Sequence, residues 1–147
     1  MKEYQSQIRD CKIGKDVTIV HPVNLYECEI GDDTFIGPFC EIQKGVKIGK
    51  NCRISSHSFI CEGVVIEDDV FIAHGVMFIN DRNPKSNNNN WFMESTKVCK
   101  GASIGSNATI LPVFIGKEAL IGAGAVVTKF APPKSVMIGN PAKELKR

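Results

Sequence analysis

Every sixth residue from Ile30 is large and apolar: Ile30, Ile36, Ile42, Ile48, Ile54, Ile60, Ile66, Ile72 and Phe78. At 43% apolar content, nine such positions in succession arise by chance about once in 2000 frames. The series reaches back through Ile13, Ile19 and Leu25, with one rung of five residues before Ile30. It resumes at Val98, Ile104 and Ile110, and a second five-residue rung leads to Ile115 and Ile121. Four residues after each large position stands a small or β-branched one, such as Thr34, Cys40, Val46, Cys52, Ser58, Val64, Val70, Val76, Ala102 and Ala108.

Six residues make one short strand and one bend. Inward side chains at i and i+4 agree with the two-residue alternation of a strand. Three rungs then close a triangular turn of 18 residues, and turns stack by strand pairing at about 4.8 Å each. About six coils are expected, a prism on the order of 30 Å tall. The spacing divides the chain into lower coils over 11–79, an inserted loop over 80–97, upper coils over 98–131 and an extension over 132–147, all in a single domain. Residues 1–10 are expected to cap the lower end, and 141–147 to form a short helix at the other. Glycine recurs both directly after the large residue, as at Gly31 and Gly49, and three residues on, as at Gly45, Gly63 and Gly75. It fits places where the chain needs positive φ or a tight bend.

Composition agrees. There are 17 Ile and 13 Val against 4 Leu, a bias toward χ1-stiff residues that suit pleated strands rather than a helix bundle. The net charge of +2 gives no basic stripe for nucleic acid. No apolar run approaches membrane-spanning length, and the N-terminal stretch lacks the apolar core of a secretory signal. The six cysteines form neither a CxxC pair nor a zinc spacing, so reduced thiols in a cytoplasmic protein are expected. Gly122-Ala-Gly124 superficially suggests a dinucleotide loop, but it belongs to the six-residue repeat.

The repeat resembles that of the hexapeptide-repeat acyltransferases, over nearly the whole chain. The resemblance implies an all-β fold, a left-handed parallel β-helix; the handedness comes from the likeness and not from the spacing. The stretch Phe71-Ile-Ala-His74-Gly-Val-Met-Phe-Ile-Asn80-Asp81-Arg82-Asn-Pro84 resembles N-acetyltransferases of nucleotide-linked 3-amino sugars. Lys100-Gly-Ala-Ser-Ile-Gly-Ser, Ile121-Gly-Ala-Gly-Ala-Val-Val-Thr-Lys129 and Ile138-Gly-Asn-Pro-Ala-Lys143 are similar to stretches shared more widely in the family. The resemblance implies acetyl-CoA as co-substrate, a nucleotide-sugar amine as acceptor, no metal, and a homotrimer with active sites between subunits. In such enzymes the long loop forms part of the acceptor site. Within 80–97, the run of asparagines at 87–90 reads as flexible, whereas Trp91 and Phe92 are unlike a floppy linker.

Eighteen-residue stacking places Glu62 below Asn80, Gly63 below Asp81, Ser56 below His74 and His57 below Gly75. His21 falls in the column of Ser56 and His74 and is read as structural. His74 and Asn80 occupy adjacent corners of one turn, at most about 20 Å apart, so only a neighbouring subunit brings them together. The resemblance gives Glu62 and Asn80 the role of orienting the acceptor amine. His74 and His57 are the candidates for a general base, against the plain alternative of hydrogen-bonded corner histidines. Asp81, Arg82 and Trp91 are the candidate acceptor-binding residues of the loop. Ala102, Ser103, Gly122 and Ala123 suit a close-lying pantetheine arm, and Lys129 and Lys134 are candidates for its phosphates, although a solvated surface is the slightly favoured reading of these lysines. The rung 110–115 is one residue short where the family usually carries a glycine, close to where the cofactor would lie. Three other readings stand beside this one: a zinc carbonic anhydrase, disfavoured because no H-x4-H pair occurs; a non-catalytic scaffold subunit; and an acyltransferase for serine, maltose or 4-amino sugars.

Overall fold

A computed structural model describes residues 1–5 and 7–146, and its regular structure consists of strands two or three residues long. They stack into three sheets, parallel except for the last strand of the third, that form the sides of a prism. The first face holds seven strands: Ile8–Arg9, Asn24–Tyr26, Glu41–Ile42, Phe59–Ile60, Met77–Phe78, Thr109–Ile110 and Val126–Val127. The second face holds six, from Lys12–Ile13 through Val64–Ile66 and Thr96–Val98 to Phe114–Ile115. The third holds eight, from Thr18–Ile19 through Arg53–Ile54, Phe71–Ile72 and Ser103–Ile104 to Leu120–Ile121, Val136–Ile138 and Lys143–Glu144. This is the expected left-handed parallel β-helix, with about seven coils rather than six.

The large residues pile in vertical files. Ile36 pairs with Ile54, Ile54 with Ile72, Ile72 with Ile104 and Ile104 with Ile121. Ile36, Ile42, Ile54, Ile60, Ile72, Ile104, Ile110, Ile115 and Ile121 are fully buried. Burial of each such side chain contributes about 1.5–3 kcal/mol. Ile13 is 40% exposed, because the lowest coil has no coil beneath it.

The two glycine sets answer different needs. Gly45 and Gly75 turn corners at φ of 78° and 66°. Gly31 has no positive φ; a Cβ there would stand 2.6 Å from the Gly49 backbone on the next coil, so the stacking distance requires a bare Cα. Elsewhere the corner residue with positive φ is often Asp or Asn (Asp16, Asp33, Asn51, Asp69 and Asn107), the side chains that best tolerate it.

Buried hydroxyls replace the small apolar residue where a corner needs a partner. Thr96 Oγ1 donates to the Leu111 carbonyl at 3.3 Å and accepts from the Val113 amide at 3.2 Å, which stitches the short rung 110–115 to the coil below.

The ends differ from expectation. Ile8–Arg9 pairs with Asn24–Tyr26, so part of the 1–10 segment belongs to the first coil. The segment after 131 stays on the prism through its described residues: Val136–Ile138 adds a parallel rung to Leu120–Ile121. The expected helix over 141–147 is absent among its described residues. Lys143–Glu144 instead runs antiparallel to Val136–Ile138, and the Leu145 amide donates to the Val136 carbonyl at 2.7 Å. An open sheet edge offers this tail backbone partners at once, whereas an isolated helix of that length is unstable in water. Arg147 lies outside the described residues. No helix among them is long and apolar enough to cross a membrane.

Candidate active site

The corner between the third and first faces carries the histidines. Register places Ser56 under His74, and Ser56 Oγ lies 2.9 Å from His74 Nδ1. With Nδ1–H donating to the serine, the lone pair sits on Nε2, which has no protein partner among the described residues. The His74 ring is exposed, and its carbonyl accepts from the Asn107 amide at 2.8 Å. Strand register carries this column upward through Ser106 to Ala123. His57 is held differently. It sits at φ 64°, and its ring stacks on Phe39 at 4.9 Å. His21 falls three coils below His74 in the expected column.

The corner between the first and second faces carries the loop. Asn80 Nδ2 donates to the Glu62 carbonyl at 3.0 Å, as the stacking predicts. The bond goes to the backbone oxygen, and the Glu62 carboxylate keeps no hydrogen bond to protein among the described residues. Above Gly63 the expected register ends. The Gly63 carbonyl accepts from Thr96, and a Cβ at Gly63 would meet Met93 Sδ at 2.9 Å, so the returning arm of the loop, not Asp81, lies over it. The reason is local: Asp81 turns outward, its Oδ1 accepting from the Asn83 amide at 2.9 Å. Asp81 and Trp91 line a small cleft of about 100 Å³ within the loop.

Arg82 is a clamp. Its Nε reaches Glu94 Oε2 at 3.2 Å, Nη1 the Thr128 carbonyl at 3.4 Å, and Nη2 the Pro112 carbonyl. The Glu94 amide in turn donates to the Asn80 carbonyl at 3.0 Å. Three of its nitrogens are thus committed to protein, which makes Arg82 a residue that shapes the loop rather than a free anion ligand. Sequence reasoning missed Glu94 and Thr128 in this role; only the opposite charges bracketing the insertion hinted at the pair.

The proposed cofactor residues do not share one groove. Gly122 and Ala123 lie at the histidine corner and Ser103 on the adjoining third face. Lys129 stands at the loop corner, and Lys134 at the remaining corner, 3.9 Å from Glu118. Ala102 is sealed in the core at 0% exposure, so its side chain meets no ligand. His74 and Asn80 stand on opposite edges of the first face, six residues apart along the chain.

Below the loop corner, a ladder of polar side chains climbs the first face. Arg9 Nη2 reaches Asn24 Oδ1 at 3.5 Å, Asn24 Nδ2 donates to Glu41 Oε1 at 2.7 Å, and Gln43 Nε2 donates to Glu41 Oε2 at 3.2 Å. Gln43 Oε1 then accepts from the Glu62 amide at 3.1 Å. A cleft of about 450 Å³ opens at its foot, lined by Tyr4, Arg9, Asp10, Asn24, Tyr26 and Glu27. Burial, reinforced by the charge of Glu41, raises the Tyr26 hydroxyl above its ordinary 10.0. The sequence analysis did not single out this ladder, although stacking Asn24 under Glu41 would have found it. Among the described residues no three His, Cys, Asp or Glu side chains gather as a metal site.

Two family descriptions match the chain: the bacterial transferase hexapeptide over residues 27–62 and the hexapeptide repeat of succinyl-transferase over 97–129. The bifunctional protein GlmU of Thermotoga maritima is 32% identical over 155 residues, which is 96% of this chain and 34% of that protein. The chain therefore spans about a third of the length of such curated relatives. A dTDP-3-amino-3,6-dideoxy-alpha-D-galactopyranose 3-N-acetyltransferase of Aneurinibacillus thermoaerophilus is 49% identical over 49 residues, 33% of this chain and 26% of that one. Among solved structures, AntD, an N-acyltransferase from Bacillus cereus in complex with dTDP and coenzyme A, superposes with a TM-score of 0.85 at 22% identity, covering 92% of this chain and 82% of that chain. At that identity the likeness is one of fold.

Proposed function

The chain belongs to the hexapeptide-repeat family, and on that premise we propose that it is a coenzyme A-dependent N-acetyltransferase acting on the amine of a nucleotide-linked amino sugar. A 3-amino sugar is the favoured acceptor. The stretch from Phe71 to Pro84 supports it, together with the local likeness to a dTDP-3-amino-sugar acetyltransferase. The working form is a homotrimer in the cytoplasm, in which the histidine corner of one chain faces the loop corner of its neighbour. Separation of His74 and Asn80 across a full face is what calls for that second chain.

The observation that carries the chemistry is the 2.9 Å contact between Ser56 Oγ and His74 Nδ1. With Nδ1–H donating to the serine, Nε2 is left as an outward-facing base. The acceptor amine attacks the thioester carbonyl of acetyl-CoA as Nε2 takes its proton. Backbone N–H groups stabilise the oxyanion that forms. Collapse expels the thiolate, whose conjugate thiol has a pKa of roughly 8.5, and the imidazolium returns the proton to it. Glu62 and Asn80 orient the amine, and Asp81 and Trp91 contact the acceptor from the loop. Ser103, Gly122 and Ala123 accept the pantetheine arm, with Lys129, on the loop corner of the neighbouring chain, toward its phosphates; Lys134 stands on the third corner beside Glu118 and takes no part. Arg82 holds the loop in place.

Thiol release from acetyl-CoA with a panel of nucleotide-linked 3-amino and 4-amino sugars tests this reading. His74→Asn is expected to lower kcat by about 10²–10⁴-fold, with His57→Asn near the starting value. No turnover on any acceptor, with no thermal shift by coenzyme A, supports a scaffold instead. Equal effects at the two histidines remove His74 as the base.

A further inference from the structure

The lowest two coils place two thiols together. Lys12 pairs with Glu29 in parallel register, which stacks Cys11 directly under Cys28, and Val46 continues the column above. The two sulfurs are 3.5 Å apart. Neighbouring strands lie about 4.8 Å apart, within the roughly 4.4–6.8 Å between Cα atoms that a disulfide spans. Closing the bond to about 2.05 Å thus needs side-chain rotation and little backbone movement. No other pair among the described residues is so placed. Cys40 stacks between Val23 and Ser58 and donates to the Ser55 carbonyl at 3.2 Å. Cys52 lies between Thr34 and Val70.

Access separates the two partners. Cys28 is sealed at 1% exposure, whereas Cys11 is half-buried beside Lys12–Ile13, the edge strand of the second face among the described residues. An oxidant therefore meets Cys11 first, with Cys28 waiting behind it.

We propose that Cys11 and Cys28 form an oxidation site that takes a hydroperoxide and closes into a disulfide across the first two coils. The Cys11 thiolate attacks the outer peroxide oxygen. The O–O bond breaks, an S–O bond forms, and the peroxide leaves as water or an alcohol after taking a proton. The resulting sulfenic acid is attacked by Cys28: the S–S bond forms, the S–O bond breaks, and hydroxide departs as water with the Cys28 proton. Two electrons pass from the sulfur pair to the peroxide. Burial, followed by the hydrogen bond and charge of Cys11, pushes the Cys28 thiol up to about 12.

The inference is independent of the proposed acetyl transfer: the pair shares the loop corner but lies at the foot of the prism, with Cys28 two coils below the level of Glu62. The test uses the reduced full chain, treated with a small excess of hydrogen peroxide, capped with iodoacetamide and digested with trypsin without reduction. The expected product joins residues 10–12 to residues 16–44 with Cys40 capped, two hydrogens lighter than the sum of the two peptides carrying free Cys11, free Cys28 and capped Cys40, and dithiothreitol reverses it. It disappears in C11S and in C28A, and persists in C40A. C11S alters only the half-exposed position and so reports even where C28A loses its fold. Cys11 recovered as sulfinic acid beside a capped Cys28, or both thiols capped as in untreated protein, overturns the proposal.

Discussion

Replacing Arg82 with alanine removes the side chain that pins the inserted loop to two higher rungs. The charge-assisted bond to the Pro112 carbonyl contributes about 1.5–3 kcal/mol. The ion pair with Glu94 has its two side chains 36% and 28% exposed. Screened to that degree it adds about 0.2–1 kcal/mol. The contact with Thr128 at 3.4 Å is long and adds little. A loss of about 2 kcal/mol shifts an equilibrium about 30-fold, and here that equilibrium is local opening of 81–95, since the Ile files do not involve Arg82. The reporter is the Glu94 amide, which donates to Asn80 at the loop's root. Its hydrogen exchange in R82A is expected to rise about 30-fold, with exchange at core amides such as Ile54 unchanged and acceptor KM raised. If the Glu94 amide exchanges as before, the loop is held by its other contacts and the clamp is wrong. If core amides accelerate equally, Arg82 supports the whole prism.

Ile54→Asp buries a carboxylate among fully apolar neighbours at a position with no solvent access, and is expected to abolish cooperative folding; a soluble, folded variant by circular dichroism refutes the inward file. Gly31→Ala forces a methyl against the Gly49 backbone, so a Tm well below that of Gly45→Ala is expected even though Gly45 has the positive φ and Gly31 does not. Glu67 has its carboxyl held below the ordinary 4.5 by the Lys100 amide and then Lys97. Its stabilising effect is therefore complete above the unfolded pKa and is lost as pH falls through the lower folded value; Glu67→Gln should flatten the acid limb of stability against pH, and an unaltered limb contradicts the assignment. Asn80→Ala is expected to lower turnover on the true acceptor with little change in Tm, and unchanged kinetics remove it from the site.

Legibility differed between the strands and the site. The Ile30-to-Phe78 file was readable because each rung repeats one requirement: a large side chain pointing into a triangle of fixed size. The same arithmetic placed Ser56 under His74 and Glu62 under Asn80, since stacking converts an 18-residue offset into contact. It failed at Gly63 and Asp81, where the inserted loop breaks the offset and Ser95 takes the place the count gave to Asp81. It failed at Ala102 for another reason: a small residue was read as an open spot beside a cofactor, when its column is the inward one. It failed again at Lys143–Glu144, where composition allowed a helix and the open edge of Val136–Ile138 favoured a strand.

By itself the sequence determined the coil. A six-residue period stacks every large residue into inward files, so faces and columns follow from local pattern, while the hand of the coil does not. The tertiary structure decided which atoms those columns expose or consume. It tied His74 Nδ1 to Ser56, spent the donors of Arg82 on Glu94, Pro112 and Thr128, and set Cys11 beneath Cys28 at contact distance. Such pairings depend on separations of a few tenths of an ångström between residues distant in the chain, and a periodic pattern carries direction and spacing but not the rotamer that closes a bond.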